Sequence, residues 1–223
     1  MPDALIFDFD GIVVDSEPIH LACFREVLGR RGIELPTEDY YGKYLGFDDH
    51  DCFQAVLVNN GRRPDEAEIA AMTAEKTALV QRAMSESVRP LPGALELMRS
   101  ARRAGVAVGV CSGALREEIE LAGRTIGALE MIQVLVAARD VASGKPDPEG
   151  YARTVELLSA AVGRRIDPAR TWVVEDSPAG VQAAKSAGCR VLAVTNSYLA
   201  KALAAADRIV DSLADVSLRD LDC

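Results

Sequence analysis

The chain has 223 residues and carries 25 Lys and Arg against 34 Asp and Glu, a formal net charge of −9. Its 49% hydrophobic and 26% charged residues are the balance of a folded globular protein and exclude global disorder. A sequence pI near 4.8 argues against attraction to phosphate backbones, so no nucleic-acid partner is expected.

The length exceeds one average domain and falls short of two, which fits one unit with a sizeable insertion. No stretch reaches the roughly 18 uninterrupted apolar residues of a membrane helix, so no membrane partner is expected. Met1 to Asp10 contains Asp3, Asp8 and Asp10 and no Lys or Arg, unlike a signal or transit peptide. The cysteines are Cys23, Cys52, Cys111, Cys189 and Cys223, an odd, scattered set without a Cys-x-x-Cys pair. That pattern points to reduced thiols and a cytoplasmic location, not to a disulfide framework or a zinc ribbon. With His20 and His50 as the sole histidines, any metal must be held mainly by oxygen.

In chain order, short apolar runs alternate with helical patterns, the signature of a parallel α/β sheet. Strands are predicted at Ala4–Phe9, Val106–Cys111, Ile132–Val136, Thr171–Val174, Val191–Val194 and Arg208–Val210. Most are nearly continuous in Val, Ile, Leu and Ala, as strands covered by helices on both faces read. Helices are predicted at Ala94–Arg103, Asp147–Ala161 and Pro178–Ala187, stopped by Gly105, Gly163 and Gly188. From Glu17 to Val88 no buried strand is legible. Four helical segments stand there instead, at Ile19–Arg31, Glu38–Tyr44, Asp49–Asn60 and Asp65–Ser85, punctuated by Pro36, Gly46, Gly61 and Pro64. This predicts a core domain of residues 1–15 and 90–223, with residues 16–89 as an inserted helical domain.

The most informative segment is Asp8-Phe9-Asp10-Gly11, directly after the first strand. In open α/β sheets ligands bind beyond the carboxyl ends of the strands. Two carboxylates that close repel unless a cation sits between them or one is protonated. The first condition suits a metal. The second suits a nucleophile beside a general acid. A plain strand-end turn or helix cap is the bland alternative. Ser112-Gly113 ends the second strand with a hydroxyl and free N–H groups that can cradle a phosphate, or simply form a turn. Lys145-Pro146 puts a cation in a rigid loop before a helix. Glu175-Asp176-Ser177-Pro178 ends the fourth strand with two carboxylates, either caps for the next helix or hard oxygen ligands for Mg²⁺.

In this order, Asp8-Phe9-Asp10-Gly11, Asp15-Ser16-Glu17-Pro18, Ser112, Lys145 and Glu175-Asp176-Ser177-Pro178-Ala179-Gly180 resemble the haloacid dehalogenase superfamily over nearly the whole chain. The similarity is to the subfamily containing β-phosphoglucomutase, sugar-phosphate phosphatases and phosphoglycolate phosphatase. The resemblance implies a Rossmann-like, doubly wound parallel sheet with an inserted α-helical cap. It implies a Mg²⁺-dependent phosphatase acting on a small phosphorylated metabolite through an aspartyl-phosphate, with a β-phosphoglucomutase-type phosphomutase or a phosphoglycolate phosphatase as alternatives. Asp8 would be the nucleophile and Asp10 the general acid and base. Ser112, Gly113 and Lys145 would hold the phosphoryl group. Asp8, the Asp10 carbonyl, Asp176 and Glu175 would ligate Mg²⁺, Glu175 directly or through water. An acid at position 10 argues against a dehalogenase, because a leaving halide needs no proton.

The substrate is expected to meet the loop Tyr44–Asp51 around Gly46. Leu45 precedes Gly46 and Asp48, Asp49 and Asp51 follow, where β-phosphoglucomutase carries basic residues. These acids would repel the second phosphate of a mutase intermediate. Glu17, His20, Lys43, Gly46 and His50 are the candidate substrate-side residues of the cap. For His50 a solvated position, for His20 a packing role and for Glu17 a helix cap are the plain alternatives. The oligomeric state is not legible; a monomer is the default.

Overall fold

Six strands form one sheet in the computed structural model, which describes residues 1–45 and 47–222. They are β1 (Ala4–Phe7), β2 (Ala107–Cys111), β3 (Val134–Val136), β4 (Thr171–Glu175), β5 (Arg190–Val194) and β6 (Arg208–Val210). Their order is β3-β2-β1-β4-β5-β6, and every neighbouring pair is parallel. Every residue of β1, β2 and β4 is buried, which is why these strands read as nearly continuous apolar runs. Phe7 lies opposite Val110 on one side and Val174 on the other, so β1, β2 and β4 end side by side. After β3 the chain returns past β1 to place β4 on its far side. That reversal makes the carboxyl ends of β1 and β4 the switch point of the sheet, where such folds open a crevice.

The helices beside the sheet are α5 (Ala94–Arg103), α6 (Arg116–Thr125), α7 (Glu149–Val162) and α8 (Pro178–Ser186). Tyr151, Val155 and Leu158 of α7 and Val181 and Ala184 of α8 share one apolar cluster with Ala4, Ile6, Ala107, Val173 and Val191. Only alternate residues of β1 join it, because successive side chains point to opposite faces. At Gly109 a Cβ would stand 2.9 Å from Thr154 Cγ2, so the missing side chain is what lets α7 lie this close to β2.

The chain divides into two units, Met1–Asp15 with Val88–Cys223, and Ser16–Ser87. The second is helical: α1 (Glu17–Gly29), α2 (Thr37–Asp39) running into a π-helical turn Tyr40–Tyr44, α3 (Asp49–Asn59) and α4 (Glu66–Ser87). Its own core gathers Phe24, Leu28, Phe53, Leu57, Ile69 and Met72. The rings of Phe24 and Phe53 meet edge to face with centroids 4.9 Å apart. Asp48 caps α3 by accepting from Asp51 N at 2.8 Å.

Three local features differ from the expectation. The first strand stops at Phe7 and not Phe9, because the backbone turns tightly from Phe9 to Val14, with Val13 N donating to Phe9 O at 2.8 Å. The segment expected as one helix from Glu38 to Tyr44 is a single α-turn followed by the wider π-turn. Helix α6 was not predicted, since its buried stripe is only Ile119, Ala122 and Gly123.

Candidate active site

Asp8 follows β1 immediately, and its N–H still pairs with Val174 O of β4 at 2.9 Å. This bond fixes the carboxylate at the switch point. Lys145 Nζ stands 2.8 Å from Asp8 Oδ1 and donates to Glu175 Oε1 at 2.6 Å, joining the ends of β1 and β4 through one cation. The Lys145–Pro146 peptide is cis. Asp176 follows Glu175, and the carboxylates of Asp8, Glu175 and Asp176 converge to within 4.8 Å of one another.

Two glycines make room for this cluster. A Cβ on Gly11, whose φ is 73°, would collide with the Asp176 carboxylate; a Cβ on Gly180 would collide with that of Glu175. Ser177 caps α8 by accepting from Gly180 N at 3.1 Å and also donates to Glu175 Oε2 at 3.0 Å. The remaining predicted residues lie around the cluster. Asp10 is half-buried and receives a long 3.5 Å contact from Ser112 Oγ. The same hydroxyl accepts from Ala114 N at 3.0 Å, and Gly113 between them is exposed.

The electrostatics are asymmetric. Burial pushes the Asp8 carboxyl up to about 7 against the pull of Lys145. Burial, then the charges of Asp8 and Glu175, push Asp176 up to about 8. Burial works the same way on Glu175, but Lys145 and hydrogen bonds from Tyr151 and Ser177 outweigh it and hold this carboxyl below its ordinary value. Lys145 is raised, because Asp8 and Glu175 outweigh the burial that would lower it. One lysine therefore faces three buried carboxylates, and two of these resist ionisation. Hard, crowded, under-compensated oxygens of this kind fit a divalent cation such as Mg²⁺. Asp8 and Asp176 are the pair best able to hold one.

The sequence reading did not find three partners of this cluster. Ser197 Oγ donates to Asp176 Oδ2 in a short contact. Asn196 Nδ2 donates to Gly11 O at 2.7 Å, which pins the turn carrying Asp10. Both belong to an ordinary-looking polar stretch after β5, where nothing local marks them. Tyr151 OH, from the first turn of α7, donates to Glu175 Oε1 at 2.7 Å.

The predicted cap-side residues occupy the helical unit and are taken there by themselves. Glu17 accepts from Tyr40 OH at 2.7 Å. His20 Nδ1 lies 2.8 Å from Lys76 Nζ, and burial followed by the charge of Lys76 lowers the imidazole to about 3. Lys43 is paired with Asp39 at 2.8 Å. His50, on the first turn of α3, reaches Asp51 at 3.2 Å and Glu66 at 3.1 Å. Gly46 lies outside the described residues. Lys76, buried against Asp49 and His20, was not singled out by the sequence reading.

The family model for haloacid dehalogenase-like hydrolases matches residues 5–194. The chain belongs to this family. A validoxylamine A 7'-phosphate phosphatase of Streptomyces hygroscopicus subsp. limoneus is 32% identical over 213 residues, 95% of this chain and 94% of that protein. Protein CbbY of Rhodobacter capsulatus is 30% identical over 201 residues, 87% of this chain and 86% of that protein. A crystal structure of CbbY from Rhodobacter sphaeroides in complex with xylulose-(1,5)bisphosphate aligns with a TM-score of 0.86 at 27% identity, covering 100% of both chains. As a haloacid dehalogenase-like hydrolase with a phosphatase relative along almost its full length, the chain is a phosphoric monoester hydrolase. Among the described residues no helix is long and apolar enough to cross a membrane.

Proposed function

We propose that this hydrolase is a Mg²⁺-dependent phosphatase that cleaves a small sugar phosphate through an aspartyl-phosphate on Asp8. The observation that carries the reading is the Asp8 carboxylate held against Lys145 beside Asp176, at the strand ends where this sheet changes direction. The relatives support the substrate class: one is named for validoxylamine A 7'-phosphate, and another was crystallised with xylulose-(1,5)bisphosphate.

Each residue then has a defined task. An Asp8 oxygen attacks phosphorus, and the bond from phosphorus to the ester oxygen breaks. Asp10 gives its proton to the departing alkoxide. It then takes a proton from the water that attacks the aspartyl-phosphate, releasing inorganic phosphate and restoring Asp8. Lys145, the Ser112 hydroxyl and the Gly113 backbone hold the phosphoryl oxygens and offset the charge that spreads over them. Asp8 and Asp176, with the Asp10 carbonyl, would hold Mg²⁺, and Glu175 completes the acidic cluster. When bound, Mg²⁺ supplies positive charge next to the transferring phosphoryl group. Residues 16–89 act as the cap that selects the substrate. Lys43 and His50 are already paired with acids, which favours hydrolysis over a mutase reaction needing cations for a second phosphate.

Phosphate release from a panel of sugar phosphates, with and without Mg²⁺, tests this reading. Release is expected with Mg²⁺ alone present, and Asp8→Asn is expected to lose at least about a thousandfold in kcat. An inert wild-type protein across the panel, or a fully active Asp8→Asn, would overturn it.

A further inference from the structure

Glu175 has no lone pair to spare. Its Oε1 accepts from Lys145 Nζ at 2.6 Å and from Tyr151 OH at 2.7 Å. Its Oε2 accepts from Asp176 N at 2.9 Å, Ser177 N at 3.0 Å and Ser177 Oγ at 3.0 Å. A carboxylate offers about four lone-pair sites, and here five donors converge on them. The side chain is wholly buried, and the Gly180 backbone lies so close that any Cβ there would strike it, so it cannot swing away. Asp176 differs: among the described residues the hydrogen-bond donor to its carboxylate is Ser197 Oγ, on Oδ2. Asp8 meets Lys145 through Oδ1.

We propose that Glu175 is a positioning residue for Lys145, locked in place by the Tyr151 hydroxyl, and not a metal ligand. This rests on the reading of the site as a Mg²⁺-dependent phosphatase centre. It replaces the ligand role that the family resemblance implied for Glu175: Asp8 and Asp176 are the carboxylates that hold the cation, and Glu175 serves the lysine.

Tyr151 sits in the first turn of α7 and is 0% exposed. Its ring faces Lys145 Nζ at 5.2 Å, while its hydroxyl shares an acceptor oxygen with that lysine. The tyrosine therefore limits both partners. Its hydroxyl holds Glu175 Oε1 in place, and its ring stands beside the lysine ammonium. Without the hydroxyl, Oε1 loses one of two donors and the lysine is drawn more fully to Glu175, away from where it meets Asp8. A charged hydrogen-bond acceptor that loses a donor in a buried site forfeits enough free energy for about a tenfold change.

Two measurements decide the matter. The first is a crystal structure of the wild-type protein soaked with Mg²⁺ alone. Both Glu175 oxygens are expected beyond about 3.5 Å from the metal, still bonded to Lys145 and Tyr151; an oxygen at the 2.0–2.1 Å typical of Mg²⁺ ligands overturns the proposal. The second compares Tyr151→Phe with Tyr151→Leu. If the hydroxyl positions Lys145, Phe lowers kcat about tenfold with KM within about twofold, and calorimetric Mg²⁺ affinity stays within about twofold. If Tyr151 merely fills space, Phe matches the wild type and only Leu is impaired, which overturns the role given to the hydroxyl. A wild-type protein inactive on every ester would sink the phosphatase reading itself. The metal distance to Glu175 would still decide this proposal separately.

Discussion

Lys145 is the single residue on which the charge balance of the centre depends. It is the cation between Asp8 and Glu175, and among the described residues neither carboxylate has another basic ion-pair partner. Removing one member of a buried ion pair leaves an uncompensated charge, which costs about 3–5 kcal/mol. Lys145→Ala is therefore expected to lose stability of this order in urea unfolding and to lose most of its phosphatase activity. Lys145→Met, which refills the volume without the charge, is expected to remain nearly as destabilised. A Lys145→Met variant as stable as the wild type would show that Glu175 is satisfied by its hydrogen bonds alone. At this scale the sequence was informative where a residue type is rare after a strand. Asp8, Asp10, Glu175 and Asp176 stood out as acids directly behind apolar runs. Ser197 and Tyr151 did not, because one is a serine in a polar turn and the other an aromatic at a core position of α7. What gives each its partner is tertiary proximity, which has no local signature.

At the scale of elements, the strands of the sheet were legible because burial on both faces writes a continuous apolar run, and the ends shifted only where the chain turns. The helical unit was harder. Its π-turn at Tyr40–Tyr44 had no legible pattern, and its buried Lys76 depends on how α1, α3 and α4 meet. Lys76 of α4 is 2% exposed, rests over the Phe24 ring of α1, and is held by Asp49 of α3 and His20 of α1. This junction gives a stability prediction for the unit. Asp49→Ala strips the lysine of its counter-charge and is expected to cost about 3–5 kcal/mol, and adding Lys76→Met to it is expected to restore most of the loss. The junction also carries a pH dependence. His20 is lowered to about 3 in the fold, first by burial and then by Lys76, from an unperturbed value of 6.5. A group held neutral in the fold contributes stability above its unfolded value, and that stability is lost as pH falls from about 6.5 toward 3. Urea midpoints between pH 7 and pH 4 should fall in the wild type, and should fall less steeply in His20→Gln. An identical slope in both would remove His20 from the account.

For the whole molecule, a net charge of −9 sits awkwardly with an anionic substrate until the distribution of its acids is considered. Three of the carboxylates converge at the strand ends, and their protonation couples the fold to the metal. Asp8 is raised to about 7 and Asp176 to about 8, both first by burial, from an ordinary 3.8. Carboxyls whose folded value is raised favour the fold fully below the unfolded value, and that contribution is lost as pH climbs through the folded one. Glu175, held low, works in the opposite sense and only at acid pH. Without metal, the stability owed to Asp8 and Asp176 is therefore expected to decline from about pH 4 to pH 8. A divalent cation needs the same carboxylates ionised, so protons and Mg²⁺ compete for them. Mg²⁺ affinity is expected to tighten at least tenfold from pH 6 to pH 8 as the two protons are displaced, and the rise in Tm on adding Mg²⁺ should be larger at pH 8. Calorimetry in buffers of different ionisation enthalpy should count protons released per Mg²⁺ bound near pH 7. Asp176→Asn removes one competing group together with a ligand, so it should abolish both the binding and the proton release. A metal affinity that does not change across this range would mean that Mg²⁺ binds away from Asp8 and Asp176, and the charge balance of the whole centre would have to be drawn differently.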